Sequence, residues 1–346
     1  MLIYIGLFFA LLLGAFFTDK LQLKNKNKIY CFYAAIILIV VSSLRNNIGV
    51  DFVNYRSAYN ALVYQNDFGD FEPGYILLEL ACYHIFIGFR GVIIFTSILI
   101  QGITVYMIYK ESPNSIFSIC IYIMLGYFYS SLNQIRLYCA ISIFLVALPY
   151  VRKRQFKKFC FWTILAASFH FTALGMIPLY FLLNSRSLVR HLIVITLCSI
   201  SALFLVNYII DIGIKIFPKY SYYIHTHFNN GYGIKSLHRV FLIVLPQLMF
   251  WNMQKTNQKK QFYLKCGVYA LVISLFQLQF QLFERFALYL SMPAACFGWP
   301  ILIETFKQYT NRKYLSIAMI SFLLIYQWYL WYRGWMGVFP YVSVFN

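Results

Sequence analysis

The chain has 346 residues, 61% of them hydrophobic and 11% charged, with a mean hydropathy of +0.68 and a formal net charge of +19. Soluble domains carry about a quarter charged residues, so this composition excludes a soluble enzyme and points to an all-α, polytopic integral membrane helical bundle. The basic residues lie mostly in short loops between apolar runs, the habit of cytoplasmic membrane loops, and no nucleic-acid partner is expected.

Twelve apolar segments follow one another: 2–17, 29–44, 73–89, 91–109, 115–130, 134–150, 159–183, 191–211, 237–253, 262–281, 286–303 and 314–332. Most approach the roughly 20 residues that cross a bilayer as a helix. Their apolar residues run on instead of alternating, which excludes an outer-membrane barrel. The first segment lacks a basic n-region and a small-residue cleavage site, so it reads as a retained span, not a signal peptide. No polar stretch is long enough for a separate core. Residues 1–346 therefore read as one membrane domain with larger outer loops at about 45–72 and 212–236. The eight cysteines sit in or beside apolar runs without metal spacing and read as packing residues.

The strongest basic loops are Lys20 to Lys28, Arg152 to Lys158, Lys255 to Lys260 and Lys307 to Lys313, and all four are expected inside. Odd numbers of segments separate the first from the second and the second from the third. Two segments must then fail to cross. The candidates are 73–89, which carries Glu79 and His84, and 159–183, interrupted by Ser168-Phe169-His170. Irregular backbone at membrane depth is tolerated where it lines a cavity. The expected arrangement is ten crossings, two re-entrant or interfacial elements and both termini outside, with twelve crossings as the alternative. It places 19 of 29 basic residues inside, 14 of them Lys, and ten outside, seven of them Arg. Arg binds phosphate through a planar fork, whereas Lys suits solvated loops. The outer face thus reads as built to hold an anion.

Residues 42–75 are the first long polar interruption and hold four of the ten acidic residues, Asp51, Asp67, Asp70 and Glu72. Arg45 and Asp51 at a membrane exit are either solvated caps or a phosphate-binding Arg with an orienting Asp; Tyr55 follows them. Glu72 precedes Pro73, a helix-start signal, so it is either an N-terminal cap or a binding residue. Glu79 and His84, inside an apolar segment, are either structurally paired or functional. Arg136 opens an apolar helix with no acid near it in sequence, which demands a partner or an anionic substrate. His170 can serve as acid or base near neutrality or be a satisfied core histidine. Glu284-Arg285 is either an ion-paired turn or a further phosphate site, with Tyr289 one turn on. Arg239 joins the outer arginines. In 212–236, Tyr222 and its aromatic neighbours suit sugar faces or form an interfacial belt. No P-loop, GxSxG or HExxH occurs. Asp67 and Asp70 do not form the spaced pair of metal-dependent sugar transferases, so no metal or cofactor is expected.

Taken together, Arg45…Gly49-Val50-Asp51…Tyr55, Glu72-Pro73-Gly74-Tyr75, Asn133-Gln134-Ile135-Arg136, Phe169-His170, Arg285…Tyr289 and Pro340-Tyr341 resemble the EpsG-like branch of the Wzy-type polysaccharide polymerases. Leu137 stands where that family often has Gln. The resemblance implies a bacterial inner-membrane enzyme of O-antigen, capsule or exopolysaccharide synthesis. Such an enzyme moves a growing glycan from undecaprenyl diphosphate onto a lipid-linked repeat unit on the outer side. The implied partners are undecaprenyl-diphosphate-linked oligosaccharides, membrane lipids, and chain-length regulator and flippase proteins. For that chemistry the expected catalytic residues are Arg45, Arg136, Arg285, His170 and Asp51, and the expected substrate-binding residues are Glu72, Tyr55, Arg239, Tyr289 and Tyr222. An O-antigen ligase needs the same anion site. A flippase needs charges along a path through the bilayer, and a membrane acyltransferase needs a second catalytic partner for His170.

Overall fold

The computed structural model describes residues 2–21, 25–85, 87–184, 193–194, 197–198, 200–201, 204–216, 221, 238–249, 258–278, 280–306 and 312–345. Among these the fold is all-α, and the one strand-like pairing is an isolated bridge between Arg45 and Ser343. Helices α1 (Leu2–Lys20) and α2 (Lys26–Ser43) form an antiparallel pair. The outer stretch read as a loop contains a helix of its own, α3 (Phe52–Gln65). Its buried residues Phe52, Tyr55, Tyr59 and Leu62 recur at helical spacing, so one apolar face seats it on the bundle. Then follow α4 (Pro73–His84), α5 (Gly88–Glu111), α6 (Ser115–Met124), α7 (Tyr127–Asn133), α8 (Ile135–Arg152), α9 (Phe156–Ala167), a 3-10 turn (Phe171–Met176) and α10 (Leu179–Asn184). Further on lie α11 (Val206–Ile216), α12 (His238–Met249), α13 (Gln258–Leu275) and α14 (Phe283–Pro293). A π-turn (Ala294–Gly298) carries α14 into α15 (Trp299–Phe306), and α16 (Arg312–Tyr332) follows.

Six of the described helices are long and apolar enough to cross a membrane, or seven if the bent pair α6–α7 counts as one span. The two segments singled out by parity are short or interrupted. Helix α4 has 12 residues, about 18 Å at 1.5 Å per residue, well under a hydrocarbon core of about 30 Å. Segment 159–183 splits into α9, a turn at Ser168–His170, the 3-10 turn and α10. A third interruption falls in 115–130, which the sequence presents as one run. There α6 and α7 meet at 54°, because Gly126 takes φ +82 and a Cβ on it would lie 2.8 Å from Leu330.

Helix α8 lies between α5, α9 and α14 and is buried on most sides. The residues after α16 fold back over the 44–50 segment. Backbone hydrogen bonds run from Asn46 to Val342 (3.0 Å), from Val344 to Leu44 (3.0 Å), and from Gly49 to Gly337 (3.1 Å). The Tyr341 hydroxyl donates to Val41 O at 2.7 Å and that of Tyr4 to Val338 O at 2.9 Å. The tail therefore clamps the segment that leads into Asp51.

At the opposite end of α8, Glu111 gathers cations from two other helices. Arg152 approaches it at 2.8 Å and Lys259 at 3.1 Å, and the Tyr263 hydroxyl donates to it at 2.7 Å. This ties α5, α8 and α13 together at the end that carries the basic loop 152–158. Glu111→Gln leaves both cations without their carboxylate. The expected cost is about 1–3 kcal/mol, reduced from that of a fully buried pair because both partners are partly exposed. It should lower the thermal midpoint of the purified protein, whereas Asp19→Asn, which removes the exposed Lys26–Asp19 pair, leaves it unchanged within error.

Candidate active site

The cluster is assembled from segments far apart in sequence. Arg136 stands in the first turn of α8, and its guanidinium meets the Glu72 carboxylate at 2.5 Å. Glu72 is placed by the start of α4, where Pro73 occupies the first turn. Its other oxygen accepts from Phe171 N at 3.2 Å. Gly74 N donates to Ser168 O at 2.8 Å, and a Cβ on Gly74 would sit 2.8 Å from that same oxygen. The glycine is therefore what lets the α4 start touch the turn before His170. Two rings flank Arg136: Phe71 lies 3.9 Å from its guanidinium carbon and Tyr55 5.9 Å. These are distances at which a cation is attracted to the ring face. Glu72 is 2% exposed and Arg136 19%, so the pair is largely removed from water. Arg136 Nε is buried without a hydrogen-bond partner, leaving part of its five-donor fork unused.

Asp51 is held beside this pair by Asn133, at the end of α7. Asn133 Oδ1 accepts from Asp51 N at 2.9 Å, and its Nδ2 donates to Asp51 Oδ2 at 3.2 Å. Gly49, at φ +92, packs directly on Asn133, where a Cβ would lie 2.7 Å from Oδ1. The Gly49-Val50-Asp51 and Asn133…Arg136 pieces of sequence are thus two halves of one joint. Burial raises the Asp51 pKa above the ordinary carboxylate range, opposed by the charges of Arg285 and Arg136 and by the Asn133 hydrogen bond. Arg285, in the first turn of α14, therefore projects its field onto the same place as Arg136. Burial also raises the Tyr55 hydroxyl, against the pull of Arg136.

His170 and Tyr289 form an adjoining polar layer. The buried His170 ring places Nδ1 2.8 Å from Thr172 Oγ1, which lies 3.2 Å from the Tyr289 hydroxyl. Phe171, between His170 and Thr172, is the residue whose N–H holds Glu72. This layer and the ion pair are therefore joined by two consecutive residues.

The structure thus brings together Arg136, Glu72, Asp51, Tyr55 and Arg285, with His170 and Tyr289 adjoining. Arg45 is placed elsewhere. It is 1% exposed and donates to Ser42 O and, at 3.1 Å, to Ser97 Oγ. Arg90 in turn donates to the carbonyls of Arg45 and Ser43. Arg45 belongs to the frame that joins α2, α5 and the tail. Glu79 is buried, with Oε1 lacking a hydrogen-bond partner, and His84 is exposed beside Tyr83. Tyr222 and most of 212–236 lie outside the described residues, as does the side chain of Arg239. Asn133, Thr172 and Phe71 join the site without standing out as candidates in the sequence: Asn133 appears there only as part of a motif, and nothing local marks the other two as site residues.

The fold and this cluster define an integral membrane protein with an ion-paired, largely enclosed arginine centre. The chain belongs to the EpsG family, whose model matches residues 28–343. EpsG is a family of Wzy-like polymerases, which gives the chain a polysaccharide-polymerase-like, glycosyltransferase-like function. Comparisons with curated proteins and with solved structures returned no match.

The joint around Asp51 makes a specific prediction. Gly49→Ala and Asn133→Ala both displace Asp51, so each should reduce polymer yield in a complemented deletion strain by on the order of tenfold to a hundredfold. Gly102→Ala, at a helical position with open space around it, keeps the yield near wild type.

Proposed function

We propose that this protein polymerises a bacterial polysaccharide by moving the growing glycan from undecaprenyl diphosphate onto a lipid-linked oligosaccharide repeat unit, at the outer face of the inner membrane. The observation that carries this reading is Arg136: a guanidinium stacked on Phe71, oriented by Glu72, with an unused buried donor and Arg285 acting on the same place. An arginine fork is suited to the oxygens of a diphosphate.

In the proposed reaction a hydroxyl of the acceptor sugar attacks the anomeric carbon of the donor glycan. The bond from that carbon to the diphosphate oxygen breaks, a glycosidic bond forms, and the hydroxyl proton passes to a protein base. Negative charge grows on the departing diphosphate, and Arg136 and Arg285 are arranged in advance to receive it. His170 and Asp51 are the candidate bases. Phe71, partly exposed beside Arg136, offers a ring to the sugars, whereas Tyr55 and Tyr289 are buried. Arg45 supports the site from behind by fixing the 42–50 segment.

The orientation rests on distance along α8. Arg136 and Arg152 lie 16 residues apart in this helix, about 24 Å at 1.5 Å per residue. Lys153, Arg154, Lys157 and Lys158 cluster at the Arg152 end, which the positive-inside rule places in the cytoplasm. A cysteine introduced at Lys153 should react with a membrane-impermeant maleimide only in inverted vesicles; labelling of intact spheroplasts sinks the orientation.

Arg136→Ala and Arg285→Ala should each cut polymer formation by roughly 100- to 1,000-fold, the range for removing one preorganised stabiliser of developing charge. The check is polysaccharide size profiling at matched protein levels, with the exposed Arg56→Ala as control. Single repeat units are the expected product. Full-length polymer from both variants overturns the assignment, and complete loss of attached glycan points to a ligase instead.

A further inference from the structure

An apolar groove of about 290 Å³ runs along the side of the cluster, between the 3-10 turn, α11 and the residues leading into α14. Four rings, Phe171, Phe280, Phe283 and Phe286, form much of its wall. Thr172 and Arg285 are the two polar side chains lining it. Both also belong to the site: Thr172 bridges His170 and Tyr289, and Arg285 acts on Asp51. The groove is therefore greasy along its length and cationic where it meets the polar centre. An amphiphile with an anionic head and a hydrocarbon tail matches that polarity.

Its size and lining narrow the tail. A dry cavity of about 150 Å³ accepts one benzene, so this groove takes on the order of two such groups, the units nearest the head and not a whole long chain. Gly213 of α11 lines it, and a Cβ there would meet no atom within 4 Å. That open width, faced by aromatic rings, suits a chain with methyl branches and double bonds better than a straight acyl chain.

We propose that this groove binds the head-proximal isoprene units of the lipid diphosphate, with the diphosphate at Arg285. The inference rests on the polymerase reading above and adds to it the surface that grips the carrier lipid. Anchoring the tail at the foot of the reacting bond holds the leaving group in register with the arginines, which lowers the entropic part of the barrier.

The test uses the full-length protein in phosphatidylcholine nanodiscs and a diazirine-bearing farnesyl diphosphate as photoprobe, with labelled peptides mapped by mass spectrometry. Labelling should fall on 280–286 and be displaced by undecaprenyl diphosphate but not by the same concentration of phosphatidylglycerol. Gly213→Phe fills the groove and should lower that labelling at least tenfold, while Gly213→Ala leaves it unchanged. Ile210→Trp, on the same helix, is the second filling variant should the first not fold. Displacement by phosphatidylglycerol, or labelling indifferent to both filling variants, overturns the groove as an isoprenoid site. Saturable labelling elsewhere that Arg136→Ala abolishes overturns the groove while leaving the polymerase reading standing. That reading fails separately, if Arg136→Ala and Arg285→Ala cells still make full-length polymer.

Discussion

A guanidinium at the start of an apolar helix must be neutralised, and most of the site follows from how this chain does it. Arg136 cannot find an acid on its own helix, so Glu72 is brought to it across 64 residues of sequence. That single ion pair fixes the start of α4 against the start of α8. The remaining oxygen of Glu72 then captures Phe171 N–H, which fixes the turn after α9 in the same place. Three segment ends that would otherwise be independent are held at one point. A buried pair of this kind contributes little net stability, because desolvation of two ions offsets much of their attraction. Its value lies in geometry: a carboxylate that is itself hydrogen-bonded sets the plane of the arginine fork.

The two ends of α8 show the difference between a charge cluster that supports and one that is open to chemistry. At Glu111 one carboxylate faces Arg152, Lys259 and the Tyr263 hydroxyl, so acceptor capacity is shared among several donors. Around Arg136 two arginines face two carboxylates, Glu72 and Asp51, and one donor, Arg136 Nε, makes no hydrogen bond. That unused donor, not an excess of charge, is what sets this cluster apart from the one at Glu111.

Much of this was legible in the sequence, for reasons that differ from residue to residue. An all-α membrane bundle follows from composition alone. Arg136 announces itself because an unpaired charge on an apolar helix is costly. The break at Ser168–His170 was signalled by polar residues inside a long apolar run. Arg45 and Glu72 show the limit. Both stand at helix ends, where a charge can cap, pair or bind, and local sequence does not distinguish these. Tertiary contacts decide: the tail and α5 enclose Arg45, whereas Glu72 meets Arg136. The tail could not be read as a clamp either, since its pairing with 44–50 spans almost the whole chain. Gly49 and Gly74 look like ordinary turn glycines until their contacts with Asn133 and Ser168 are seen.

The electrostatics of the cluster separate the parts of its two candidate bases. With every group charged, Arg136, Arg285, Glu72 and Asp51 sum to zero, so a diphosphate is not drawn in by net charge alone. Burial already favours protonation of Asp51. An anion placed beside it favours protonation further, by like-charge repulsion. Within the proposed reaction, binding of the lipid diphosphate is then linked to proton uptake at Asp51, which leaves a neutral acid able to donate a hydrogen bond and no surplus of negative charge. A group that must accept the proton from the attacking hydroxyl has the opposite requirement. His170 becomes positive when it does so, and a departing diphosphate stabilises that charge instead of opposing it. Thr172 fixes the ring through Nδ1, and Tyr289 in turn fixes Thr172; the tautomer with its hydrogen on Nδ1 is the one whose Nε2 can accept that proton. Within the proposed reaction the two requirements therefore fall on different groups, Asp51 for holding and His170 for proton transfer, and the two arginines act on the first of them.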